Sequence, residues 1–458
     1  MNGRAGGHRS GPDRPAGVRL RAGAAAAVVV GLVAIAVAVP AVTDPAGIPE
    51  GASGGRTPSG GRTASDGRTA PAAADPGPPG PADGLRRTRP CSPPGPAGPG
   101  VAPGLAMGAG GPVPDGLATG AGQLVAVIDT GVAAVPRLAG RLRGGGDYLT
   151  GGYGLEDCDG HGTDVAVLLA GAADPATGTG AGAAPGAAVV SLRQSSGRYA
   201  VTGPDGAERP AGDIRTLAAA IHRGVALGAS VINVSEVVCV PTERLADAGA
   251  PLADAVRSAE AAGVLVVAAA GNINPVGTCT GDPGLRPLPA LYDGVLAVGA
   301  VDARDRPAPF SVSGPWVDVA APGVDLPAPT GPDGAVVSGT SYAVPLVAGT
   351  AALLRERFPM LTPRQVADRI RATARPPAAG RDDRVGDGVL DPAVALTAEP
   401  LLLTPGARAA APASGRAGLP EPVARPTDLT PAVAVGIVAC LGGAVAAALA
   451  ALRRRPRP

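Results

Sequence analysis

The sequence predicts an α/β fold, a doubly wound and mostly parallel sheet with helices on both faces, and three observations predict it. From Gln123 onward, short Val-rich runs recur at 123–129, 187–192, 229–235, 264–270 and 294–300. Between them lie helical patterns at 163–172, 214–227 and 252–262. Near-continuous apolar strands interleaved with helices belong to a parallel sheet covered on both sides. Finally, Asp129, Ser235 and Asn272 each stand at the carboxyl end of a separate run, where sheets of this kind gather their chemistry. Two more helical stretches, 341–357 and 363–374, complete the globular part.

The core must be packed with Val, Leu, Ile and Ala, because only 2% of the 458 residues are aromatic. With 71 Gly and 52 Pro, these two types exceed a quarter of the chain and point to extended flanks. A net charge of +1 provides no broad basic face, which excludes nucleic acid as the main partner.

Residues 1–43 read as a signal peptide or N-terminal membrane segment: Arg4, Arg9, Arg14, Arg19 and Arg21 precede an uncharged apolar run at 22–43. Residues 44–117 are a Gly/Pro-rich arm with too few large apolar residues to fold alone, tied down near Cys91. The globular domain spans 118–396, and an Ala/Pro/Gly tether follows at 397–430. The apolar run 431–452 has the length of a C-terminal transmembrane helix, and Arg453, Arg454, Arg455 and Arg457 make 453–458 a cytoplasmic tail. Both charged flanks then point inward, so the domain sits outside the cytoplasm at the cell membrane.

Of five cysteines, Cys91, Cys158, Cys239 and Cys279 fall in the exported part, an even number suited to two disulfides with three possible connectivities. Cys440 lies in the membrane run. No cysteine spacing suits zinc, no dedicated calcium loop is present, and no metal or cofactor is expected. The glycine-rich stretch 178–182 precedes a strand instead of following one, so it is not a dinucleotide turn.

The candidate nucleophile is Ser341, in the small-residue turn Gly339-Thr340-Ser341 that leads into an apolar helix. Backbone N–H groups at such a helix start can stabilise developing negative charge. Its base must be a histidine, and there are three. His8 precedes the first apolar run and His222 flanks a helical stripe, which leaves His161 in the glycine-flanked turn Asp159-Gly160-His161-Gly162. Asp129 ends an apolar strand, where a desolvated carboxylate needs a partner such as an imidazole N–H. Asn272, in Ala270-Gly271-Asn272, can present an amide donor to an oxyanion. Substrate backbone would run along Ser235 and along Ala270 and Gly271 in the edge-strand manner.

Together, Val127-Ile128-Asp129-Thr130-Gly131, Asp159-Gly160-His161-Gly162-Thr163, Ala269-Ala270-Gly271-Asn272 and Ser338-Gly339-Thr340-Ser341 resemble the four signature blocks of the subtilisin-like serine proteases, in that family's Asp, His, Ser order. The sequence is similar in particular to the mycosins, membrane-anchored subtilases that accompany type VII secretion systems. The pointers are Cys158 just ahead of the His161 block, Cys239 just after Val231-Ile232-Asn233-Val234-Ser235, Cys279 just after Asn272, the run Ser191-Leu192-Arg193-Gln194-Ser195-Ser196, and the C-terminal apolar run with its arginines. The resemblance implies a subtilisin-like fold and a serine endopeptidase acting on protein or peptide substrates, with type VII secretion machinery as partner. It also implies the pairings Cys91 with Cys158 and Cys239 with Cys279, and an arm that is not a folded inhibitory propeptide. A rival reading is a structural subunit of the secretion complex. Three departures stand out: Glu236-Val237-Val238 occupies a segment that is commonly glycine-rich, Tyr342 replaces a methionine, and Asp164 replaces a histidine.

Overall fold

The computed structural model describes residues 80–92, 116–173, 180–203, 205–275, 277–331 and 335–399. The N-terminal apolar run, the tether from residue 400 onward and the run at 431–452 lie outside the described residues. Among those described, no helix is long and apolar enough to cross a membrane.

In chain order the elements are β1 (Leu85–Arg87), β2 (Leu124–Asp129), β3 (Leu142–Asp147), α1 (His161–Ala170), β4 (Ala188–Arg193), β5 (Ser196–Thr202), β6 (Glu208–Ala211) and α2 (Ile214–Ala226). There follow β7 (Val231–Val234), β8 (Val238–Pro241), α3 (Ala250–Ala261), β9 (Leu265–Ala269), β10 (Leu285–Leu288), β11 (Val295–Val301) and β12 (Val319–Pro322). The last are β13 (Leu326–Pro327), β14 (Val336–Val337), α4 (Thr340–Arg357), α5 (Pro363–Thr373) and α6 (Pro392–Thr397).

Seven strands form one sheet in the order β12-β11-β9-β7-β2-β4-β3. Every pairing in it is parallel. Alternation along the strands sorts the core into two layers. Val125 and Val127 of β2 face a layer built by α1, α4, α5 and α6, whereas Ala126 and Ile128 face one built by α2 and α3. This is the α/β class expected, with helices on both faces.

Local chemistry sets the helix ends. Asp213 and Thr216 cap α2 reciprocally, and Thr362 and Gln365 do the same for α5, which has Pro363 in its first turn. Helix α1 begins at His161 and α4 at Thr340, so the candidate base and nucleophile are the first and second residues of their helices.

The sheet has two strands that the sequence pattern did not predict. Edge strand β3 reads Leu-Arg-Gly-Gly-Gly-Asp and carries a register shift between Gly144 and Gly146; a Cβ on Gly145 would press into Val190 and Leu192 of the adjacent strand β4. Edge strand β12, at the other side, is only four residues long and ends in Pro322. Helix α6 also follows α5, where the sequence suggested that α5 was the last helix of the globular part.

The arm is tied down as expected. Strand β1 pairs antiparallel with β5, Ser92 N–H donates to the Cys158 carbonyl at 2.8 Å, and Cys91 is bonded to Cys158. Cys239 is bonded to Cys279, beside the β8–β10 pair.

Candidate active site

Three strand ends and two helix starts converge at the carboxyl edge of the sheet. Asp129, the last residue of β2, is fully buried. Its Oδ1 accepts the Thr130 N–H at 2.7 Å and lies 2.7 Å from His161 Nδ1. His161 Nε2 lies 2.9 Å from Ser341 Oγ. A continuous carboxylate–imidazole–hydroxyl relay therefore crosses the cleft, with the ring a quarter exposed between two buried ends. Burial alone would depress His161, but the Asp129 carboxylate outweighs it, helped by Glu236 and Asp157, and raises the imidazole above its ordinary value.

The turn that delivers His161 is built around Asp157, a residue that the sequence pattern gave no reason to single out. Its Oδ1 accepts from Thr130 Oγ1, Asp159 N–H and Gly160 N–H, and its Oδ2 accepts from Thr163 N–H and Thr163 Oγ1, all at 2.6–3.1 Å. Burial pushes the Asp157 carboxyl above its usual range against these hydrogen bonds. Gly160 is left-handed (φ 82°), and a Cβ on Gly162 would collide with the Gly131 carbonyl and Asp129. Asp164, one of the three departures, is buried and accepts both the N–H and hydroxyl of Thr330, at 2.8 and 2.7 Å. Tyr342, another departure, packs its ring 5.0 Å from that of His161.

Ser341 is placed by a different device. Pro345 sits inside α4 and lacks the N–H that would bond the Ser341 carbonyl one turn back. The freed carbonyl accepts the Ser235 hydroxyl at 3.2 Å, and Ser235 in turn accepts Asn233 Nδ2 at 2.9 Å. Asn233, buried on β7, is a second residue that the motifs did not reveal. Asn272 Oδ1 accepts the N–H and hydroxyl of Thr340, both at 3.0 Å, which turns its Nδ2 toward the space beside Gly339 and Ser341 Oγ. Gly271 has φ 104°, and Ala270 is fully buried with its N–H donated to Val298.

Glu236 joins this group. Its Oε1 accepts the Ser195 hydroxyl at 2.7 Å, and donor atoms of Asp129, His161 and Glu236 lie within 4.8 Å of one another. Among the described residues these three are the group spaced closely enough to ligate a metal ion, and the Asp129–His161 hydrogen bond already engages two of them. His222 lies on α2, away from the site.

A profile of the subtilase family matches residues 120–392. The chain belongs to the subtilase family. It is 44% identical over 308 residues to Mycosin-4 of Mycobacterium tuberculosis, a match that covers 62% of this chain and 66% of that protein. It is 42% identical over 375 residues to Mycosin-1 of the same organism, covering 74% of this chain and 82% of the relative. Among solved structures, MycP1 from the ESX-1 type VII secretion system superposes with a TM-score of 0.60 at 36% identity, over 70% of this chain and 93% of that one. A chain of an intact ESX-5 inner membrane complex matches with a TM-score of 0.59 at 35% identity, over 82% of this chain and 97% of its own length. This subtilase is of the mycosin type and is a subtilisin-like serine endopeptidase.

Proposed function

We propose that the chain is a membrane-anchored, extracytoplasmic endopeptidase with Asp129, His161 and Ser341 as its triad. Ser341 Oγ attacks the scissile carbonyl, His161 Nε2 takes its proton and returns it to the leaving amine, and Asp129 keeps His161 in the tautomer that makes this possible. The Asn272 amide and the Ser341 N–H hold the oxyanion. Water repeats the sequence on the acyl-enzyme. The observation that carries this reading is the pair of hydrogen bonds, 2.7 and 2.9 Å, joining the three side chains in series. Substrate backbone lies along Ser235 and beside Ala270 and Gly271, as an added strand.

The anchor rests on the apolar run 431–452 and the arginines that follow it. Its substrates are proteins exported by a type VII secretion system, a reading supported by the similarity to MycP1 of ESX-1 and to the ESX-5 complex chain. That second similarity, over 82% of this chain, also favours a structural role in such a complex.

Labelling with a fluorophosphonate probe tests the chemistry. Wild type should be labelled at Ser341 and Ser341→Ala should not; an unlabelled wild type would overturn the enzymatic reading. Hydrolysis by Ser341→Ala should fall about a millionfold, a magnitude that comes from subtilisin and not from this chain. Secretion that survives Ser341→Ala but fails when the whole chain is deleted would assign the structural role.

A further inference from the structure

We propose that Glu236 makes this cleft select a basic side chain, Lys or Arg, in the stretch of substrate that runs along residues 235–237. The proposal rests on the endopeptidase reading above and adds a substrate class to it. Glu236 follows Ser235 directly and lies in the segment between β7 and β8, outside both strands. That segment borders the nucleophile, because Ser235 is hydrogen-bonded to the Ser341 carbonyl. A Glu236 carboxylate oxygen is within 4.8 Å of a ring nitrogen of His161 and a carboxylate oxygen of Asp129, so it lies beside the Asp129–His161 pair.

Its partners leave it short of positive charge. Oε1 takes one neutral hydroxyl, from Ser195. Among the described residues no arginine pairs with it; Arg198 is turned to Asp159, with Nε 3.7 Å from that carboxylate, and the chain contains no lysine. Asp159 itself accepts from Ser196 and Gly197. Burial first and the like charge of Asp129 second push the Glu236 carboxyl above its usual range, with Asp159 adding to them and His161 and Ser195 opposing. A half-buried carboxylate held at such a disadvantage gains more from an arriving cation than an exposed one would. A substrate Arg or Lys supplies that cation, and an acidic side chain in the same place meets the combined repulsion of Glu236, Asp129 and Asp159.

The test is a set of internally quenched peptides, identical except that one position at a time carries Arg, Lys, Gln or Glu, hydrolysed by the full chain. At one acyl-side position wild type should prefer Arg or Lys over Gln by about tenfold or more in kcat/KM, and Gln over Glu. In Glu236→Gln the Arg-to-Gln ratio should fall to near one, and in Glu236→Arg the preference should pass to Glu. Each readout is a ratio within one variant, so a general loss of activity does not enter it. High salt should shrink the wild-type ratio, which keeps the test available if neither variant folds. A wild-type enzyme without basic preference at any position, or a preference that survives Glu236→Gln, overturns the proposal. If the fluorophosphonate labels Ser341 and peptides are cut without that preference, this inference fails and the endopeptidase reading stands. If Ser341 is not labelled, it is the endopeptidase reading that fails.

Discussion

Two helices begin at the site, and their first turns are held by opposite means. At α1 a carboxylate from outside the helix, Asp157, accepts the N–H groups of Gly160 and Thr163, so the positive end of that helix already faces an anion. At α4 the first turn contains no acidic residue, Gly339 caps without a side chain, and the neutral amide oxygen of Asn272 takes only Thr340. In the proposed mechanism the α4 turn keeps its field and its Ser341 N–H for charge that develops during reaction, whereas the field of the α1 turn holds the Asp157 side chain. The comparison teaches that the same element, a helix N-terminus, serves as a fixed mount when a resident anion fills it and as a stabiliser of transient charge when none does.

Breaking the α4 side should have the largest effect on turnover. Asn272→Ala removes one proposed oxyanion donor, and kcat should fall about 10²–10³-fold with KM little changed. Steady-state kinetics on any cleaved peptide checks this, and a loss under about fivefold would place oxyanion donation elsewhere. On the α1 side, Asp157→Ala strips the shared acceptor from the donors of Thr130, Asp159, Gly160 and Thr163. Stability should fall by about 3 kcal/mol in thermal or denaturant unfolding, with kcat down about tenfold as His161 loses its fixed approach. An unchanged unfolding midpoint would show that the turn is held by something other than this carboxylate.

How much of this asymmetry was legible in the sequence follows from where each part is stored. Asp129, His161, Asn272 and Ser341 could be found because each stands where an apolar run meets a glycine turn, a pattern contained in a few consecutive residues. The parallel sheet was legible from β2, β4, β7, β9 and β11, whose residues are apolar on both faces. Strand β3 was not, since a glycine triplet carries no strand propensity and its place depends on close packing against β4. Asp157 was invisible because its role consists of hydrogen bonds to Thr130 and Thr163, which only the folded turn brings together. The Pro345–Ser341–Ser235 arrangement likewise links a helix interior to a strand end about a hundred residues away. The residues alone left three cysteine connectivities open; the family resemblance selected the two pairs that the structure contains.

The pH response sharpens the same contrast, because the His161 imidazole, raised to about 10 beside Asp129, titrates in the accessible range and the Ser341 hydroxyl does not. In the proposed mechanism neutral His161 accepts the Ser341 proton, so a raised folded-state pKa should move the acidic limb of kcat/KM to the alkaline side of 6.5. For stability the sign is reversed. The imidazolium–Asp129 pair stabilises fully below the unfolded-state value and loses its contribution as pH rises through the folded one. Over that window turnover should rise while the melting temperature falls. Asp129→Asn should bring the limb back toward the ordinary imidazole value, and a limb that does not move would separate His161 from Asp129.

The smallest effect on turnover is expected from cutting the arm's covalent tie, Cys91→Ser with Cys158→Ser. The tie ends one residue after Asp157, so it touches the α1 turn from outside, yet the His161 ring is bonded to Asp129 and the residues on either side of it to Asp157 and Thr130, not to the arm. Without the disulfide, residues 80–92 are still held by the three-residue β1–β5 pairing, by Ala82 N–H to Leu149, by Ser92 N–H to Cys158 and by Arg198 to Ser92. Most residues of this segment are exposed and each bond is worth about 1 kcal/mol, so the arm should open often enough for a protease to cut it. Limited proteolysis within 80–92 should therefore accelerate about tenfold or more, while hydrolysis of a small peptide stays within about twofold of wild type. A parallel collapse of turnover would mean that the arm, and not Asp157 alone, keeps the α1 turn in place.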